Sequence, residues 1–165
     1  MPFEIHPDIP AGGVETIPYL EGLGYDNVSR LYDSIRQHAR QLGVTIGPVP
    51  RKYNTHLSLL LVEYAKEQGK GLDYNQAVFR AFWANSRDIS ASSVLEEIVT
   101  DIGLDFAASL EGVNSGEYDR RFAEAGGLAR RLGINAVPAF IVDDKYLISG
   151  AQPVENFRRM LQETE

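Results

Sequence analysis

The sequence predicts a mixed α/β chain: a block of amphipathic helices held between a short first strand and a closing helix, β-hairpin and helix. Two observations carry this. Gly133 to Pro153 reads as a helix stop followed by two apolar runs, Ala139–Val142 and Tyr146–Ser149, around a polar Asp143-Asp144-Lys145 turn. Between residues 26 and 132, apolar residues recur at helical spacing in successive segments, most of them closed by a glycine.

The hairpin is apolar on both faces, because Ala139 and Ile141 alternate with Phe140 and Val142, so helices are expected to cover it. Gln152-Pro153 opens the covering helix, with proline at its first position and Val154, Phe157 and Leu161 along one side. At the other end, Pro2 to Ile5 admits only a short strand, since His6-Pro7 and Ile9-Pro10 stop it at once. Ala11 to Gly24 reads as irregular, with at most a short turn at Ile17–Leu20.

The first long helix runs from a cap at Asp26 or Asn27 through Leu31, Ile35, Ala39 and Leu42 to Gly43. Asn54 or Thr55 caps the next, with Leu57, Leu60, Leu61, Tyr64 and Ala65 as its stripe and Gly69 as its stop. Asp73 caps a third bearing Tyr74, Val78, Phe79, Phe82 and Trp83. Ser90 to Ile102 follows, with Val94, Leu95, Ile98 and Ile102 inward. Leu104 to Leu110 is short and weakly helical. Glu117 to Leu132 buries Tyr118, Phe122, Ala125, Ala129 and Leu132, with Gly126-Gly127 as a place for close packing.

Composition narrows the chemistry. The 165 residues are 44% hydrophobic and carry a formal charge of -7, which suits one soluble domain and disfavours nucleic-acid or anionic-membrane partners. No apolar run approaches the ~20 residues of a membrane helix, and the first residues lack signal-peptide character, so the chain is expected to be cytoplasmic. Cysteine is absent. Disulfides, thiolate nucleophiles and zinc–thiolate sites are therefore excluded within this chain.

The three histidines, His6, His38 and His56, have no spacing that pairs two ligands on one face, so no metal site is expected. Asp143-Asp144 is turn chemistry rather than a catalytic carboxylate pair. No serine has a histidine partner in a recognisable motif, and Gly12-Gly13 and Gly126-Gly127 do not follow strands as phosphate loops do. Phe82 and Trp83, with Phe79, form an aromatic cluster. Such a cluster is more often core, but Phe82 and Trp83 are also candidates for lining a groove.

Two passages resemble a known family. Gly-x-x-x-Val-Pro-x-Phe from Gly133 and Tyr-x-x-Ser-Gly-Ala-Gln-Pro from Tyr146 resemble the end of the DsbA-like thioredoxin-fold family, particularly its FrnE-like branch of dithiol-disulfide oxidoreductases. Further likeness lies in Pro2–Pro10, Asn54–Gly69 and Phe79–Ser90, so it covers almost the whole chain. The resemblance implies a thioredoxin-like core from residues 1–10 and 117–165, interrupted by a helical insertion over 11–116. It implies a cis Pro138 in a substrate loop with Val137 and Ala136, and a protein or peptide thiol or disulfide as partner. No cofactor is implied.

In that family the first strand and the helix bearing the redox CxxC precede the segment matching Pro2–Ile5. This chain has neither, and so no residue to which a catalytic role transfers. Its expected sheet lacks the middle strand, leaving edges whose unpaired buried groups each cost about 1–3 kcal/mol. A homodimer closing that gap through Pro2–Ile5 or Ala139–Ser149 is expected. Three functions follow: an oxidoreductase-lineage protein, disulfide isomerase included, inactive alone or part of an active enzyme; a non-catalytic peptide-binding partner or holdase; and a glutathione-binding transferase or isomerase resembling the kappa and 2-hydroxychromene-2-carboxylate isomerase relatives.

Overall fold

The helical block begins earlier than the sequence suggests. The computed structural model describes residues 4–134, 137–143 and 145–163. In place of an irregular Ala11–Gly24 segment it has β1 (Val14–Glu15) and helix α1 (Thr16–Gly22). Pro18 lies in the first turn of α1, where its missing N–H is no loss, so proline here marks a helix start rather than a break. Helix α2 (Val28–Gln41) follows, and β2 (Arg51–Lys52) then pairs antiparallel with β1, Val14 opposite Lys52.

Gly13 makes that pairing possible. Its φ is +68°, and a Cβ there would lie 2.5 Å from the Lys52 carbonyl oxygen. The Arg51 guanidinium ties the same turn by donating to the carbonyls of Gly12 and Gly13 at 2.8 and 3.0 Å.

The helices that form the body are α3 (His56–Glu67), α4 (Gly71–Phe79), a π-helical turn at Arg80–Ala84, α5 (Ser92–Asp101), α6 (Phe106–Asn114) and α7 (Glu117–Arg131). Leu60, Leu61, Val62 and Ala65 of α3 meet Tyr74 and Val78 of α4, Leu95, Ile98 and Val99 of α5, Val113 of α6 and Tyr118 of α7 in one buried cluster. Leu20, Val28 and Tyr32 form a second cluster under α1 and α2, against which Trp83 packs.

Several local expectations are corrected. Helix α6 is a full element: Asp105 caps it by accepting from the Ala108 N–H at 2.8 Å. Of the two residues expected at the start of α3, Thr55 holds the N-cap position without a side-chain cap bond, and Asn54 before it accepts from the His56 N–H at 3.0 Å. Asn27 precedes α2 in the left-handed region with no side-chain cap, and Asp73 lies inside the first turn of α4, 3.5 Å from the Lys70 ammonium. Pro153 is the residue before the last helix rather than its first.

The buried stripes also rotate. On α2 it is Val28, Tyr32 and Ala39 that are buried, while Leu31 and Leu42 are exposed. Past α4 the inward line is Tyr74, Val78 and Ala81, so Phe79, about 100° away from Val78, is exposed. Leu132 is exposed as well, and Cβ atoms at Gly126 and Gly127 would meet only arginine tips, so no close packing occurs there.

Strands β3 (Ala139–Val142) and β4 (Tyr146–Ser149) form the expected antiparallel hairpin, with Ala139 opposite Ser149 and Ile141 opposite Leu147. Asp143 takes φ +50° in the turn; Asp144 lies outside the described residues. Helix α8 (Val154–Gln162) covers one face, its Phe157 ring 4.7 Å edge-on from Phe140. Among the described residues no third strand joins the hairpin, so its sheet has two strands. Met1, Pro2 and Phe3 are outside the described residues. Glu4 and Ile5, the described part of the expected Pro2–Ile5 strand, pair with no strand.

Glu4 is instead drawn to the helical body: its Oε2 lies 3.3 Å from His56 Nδ1, and Asp119 Oδ1 lies 3.0 Å from Nε2 of the same ring. A second polar tie joins α3 to α7, where the Tyr118 hydroxyl donates to Glu67 at 2.6 Å and Arg121 donates to the other carboxylate oxygen. The Tyr118 hydrogen bond, with Arg121 second, holds the Glu67 carboxyl below its ordinary value. A depressed folded value stabilises above the unfolded value, and that stability is lost as pH falls through the folded one. Between about pH 5 and pH 3 the melting temperature of Glu67→Gln should therefore fall less steeply than that of the parent. Parallel curves would show that the pair contributes nothing.

Candidate functional site

The resemblance placed a substrate loop at Val137 and Pro138, and the structure sets both at the mouth of β3, exposed to solvent. The peptide between them is cis. Gly150 N–H donates to the Pro138 carbonyl at 2.8 Å and so fixes the loop to the exit of β4. Ala136, the third expected loop residue, lies outside the described residues.

Around this loop several apolar side chains face solvent. Val137 is 47% exposed, and Phe140, Ile141 and Leu147 are 40%, 45% and 44% exposed. Ile141 and Leu147 are a cross-strand pair on the face opposite Phe140 and Phe157. The edge of β3 away from β4 carries no strand among the described residues. This combination, a free strand edge flanked by apolar side chains, is what adds an extended polypeptide as another strand.

Phe82 and Trp83 lie elsewhere. The π-helical turn presents them edge-to-face, 5.1 Å between centroids, and both line a cavity of about 310 Å³ with Ile5, His6, Ile9 and Lys52. Val137 and Pro138 do not line it, so the cavity of Phe82 and Trp83 and the loop of Val137 and Pro138 are separate places on the fold. Among the described residues no cluster of three His, Asp or Glu side chains is arranged to hold a metal. No helix among them is long and apolar enough to cross a membrane.

Sequence reasoning missed Lys52 and His6 as cavity residues. Burial lowers the Lys52 ammonium from its ordinary value; burial first, and Lys52 second, lowers His6. Neither carries a motif, since Lys52 is placed only by the pairing of β2 with a strand far back in the chain.

Known proteins with this organisation share the fold. A probable DsbA oxidoreductase from Streptomyces coelicolor superposes with a TM-score of 0.83 over 98% of this chain and 72% of its own, at 24% identity. A 2-hydroxychromene-2-carboxylate isomerase superposes with a TM-score of 0.66 over 83% of this chain and 64% of its own, at 20% identity. The uncharacterized protein YwbO of Bacillus subtilis (strain 168) is 29% identical over 170 residues, spanning all of this chain and 80% of its own. The family model of the DSBA-like thioredoxin domain matches residues 1–162, and the chain belongs to that family.

Proposed function

We propose that this chain is a FrnE-type member of the thiol-disulfide oxidoreductase lineage that holds polypeptide substrate without performing the exchange itself. The observation that carries this reading is the open edge of β3, with Val137, Ile141 and Leu147 exposed beside it, in a sequence with no cysteine. Disulfide exchange needs a thiolate that attacks and a thiol that resolves, and this chain supplies neither. Strand addition needs a strand edge without a neighbour and apolar surface for alternate side chains, and the open edge of β3 with Val137, Ile141 and Leu147 beside it supports that reading.

Insulin reduction by the chain alone should show no turnover. Extended apolar peptides should bind, thiol-blocking reagents should leave that binding unchanged, and Val137→Asp should weaken it at least tenfold. Turnover of insulin, or failure of every peptide in a diverse pool to bind, would sink the proposal. Calorimetry with glutathione should give no heat; saturable heat would favour the transferase or isomerase reading instead.

A further inference from the structure

The cavity beside the π-helical turn is a separate site. Its wall is apolar, formed by Ile9, Val62, Val78, Phe82, Trp83 and Ile89, and the exposed Phe79 stands at its rim. Into this wall β2 delivers one ammonium group, that of Lys52. Among the described residues Lys52 has neither an ion pair nor a side-chain hydrogen bond. Other cations that have no ion pair among the described residues, such as Arg30, Arg40 and Arg80, are exposed, whereas Lys52 is half-buried in the wall of an apolar cavity.

The neighbours do not supply a counter-charge. His6 lines the same cavity, and the nearby Asp8 carboxylate lies outside it, accepting from the Tyr19 hydroxyl at 3.3 and 3.4 Å. Thr55, Ser58 and Asn75 add neutral polar groups to the lining. A partly desolvated cation without a partner is costly, and a bound anion removes that cost. A pocket with apolar walls and few polar groups fixes the orientation of a ligand whose body is apolar and whose one end is charged.

We propose that this cavity binds an amphipathic monocarboxylate of medium-chain fatty-acid size, its carboxylate on Lys52 and its chain against Phe82 and Trp83. The proposal stands apart from peptide binding at Val137, because neither Val137 nor Pro138 lines the cavity.

Trp83 is the single tryptophan of the chain, so its fluorescence reports occupancy directly. Decanoate, below its micelle concentration, should change that fluorescence saturably and bind at least tenfold tighter than decanol. Lys52→Met should lose at least tenfold in decanoate affinity while leaving decanol unchanged, and Lys52→Arg should retain the preference for the acid. If Lys52→Met fails to unfold cooperatively on heating, Lys52→Gln carries the same comparison. Equal binding of decanoate and decanol by the parent, the absence of a saturable signal, or undiminished decanoate binding without the charge would each overturn the assignment.

Discussion

Leu61→Ala should destabilise the chain by about 2–5 kcal/mol, the usual cost of emptying a well-packed leucine site. Leu61 is 1% exposed and lies on α3, the helix against which α4, α6 and α7 all pack. Its neighbours therefore come from separate parts of the chain and cannot all close on the void. For a chain of this length the melting temperature should drop by roughly 5–15 °C. Leu72→Ala is the matched control. Leu72 is 71% exposed on α4, so its loss should stay within about 0.5 kcal/mol. Equal melting temperatures for the two variants would show that α3 is not the centre of the core.

The second large effect concerns association. Sedimentation equilibrium at micromolar concentration should find a twofold dimer whose interface includes the hairpin or the segment reaching Ile5. Ile141 and Leu147 pair across the strands with more than two fifths of each exposed, Ile5 is 46% exposed, and β3 has an open edge. Such an edge recruits another strand, from a second copy or from a peptide, so the two compete for it, and a closed twofold arrangement leaves none to propagate. Ile141→Lys combined with Leu147→Lys should weaken the dimer at least about a hundredfold, because symmetry places two unpaired charges from each copy in the contact. A folded parent monomer with both segments ordered would sink the expectation.

How much of this was legible in the sequence depends on the range of the interaction. The hairpin followed from the Gly133 stop and the two apolar runs on either side of a polar turn, all local, whereas its register comes from the structure. Helix α6 was underestimated because its decisive signal is one side chain, Asp105, rather than a long apolar stripe. Helix α1 was hidden by Pro18, whose meaning depends on whether it falls inside or before a first turn. The stripe on α2 was misjudged because Leu31 and Val28 both fit a helical period, and only the position of α1 decides which one is covered.

The loop at Val137 and Pro138 and the cavity divide in the same way. Val137 and Pro138 were found through resemblance to a family motif, whereas the exposure around them is a property of the fold. Phe82 and Trp83 were singled out as groove candidates from their clustering, yet Lys52, the group that gives their cavity its polarity, carries no sequence signal. It reaches the cavity because Val14 pairs with it across the β1–β2 ribbon.

By itself the sequence determined the order of the helices and hairpin and the exclusion of thiol chemistry, because both follow from residue identity and short-range spacing. Only the tertiary structure decided which apolar residues are buried and where an unpaired cation comes to rest. Burial and charge pairing depend on neighbours that the chain brings together from distant positions.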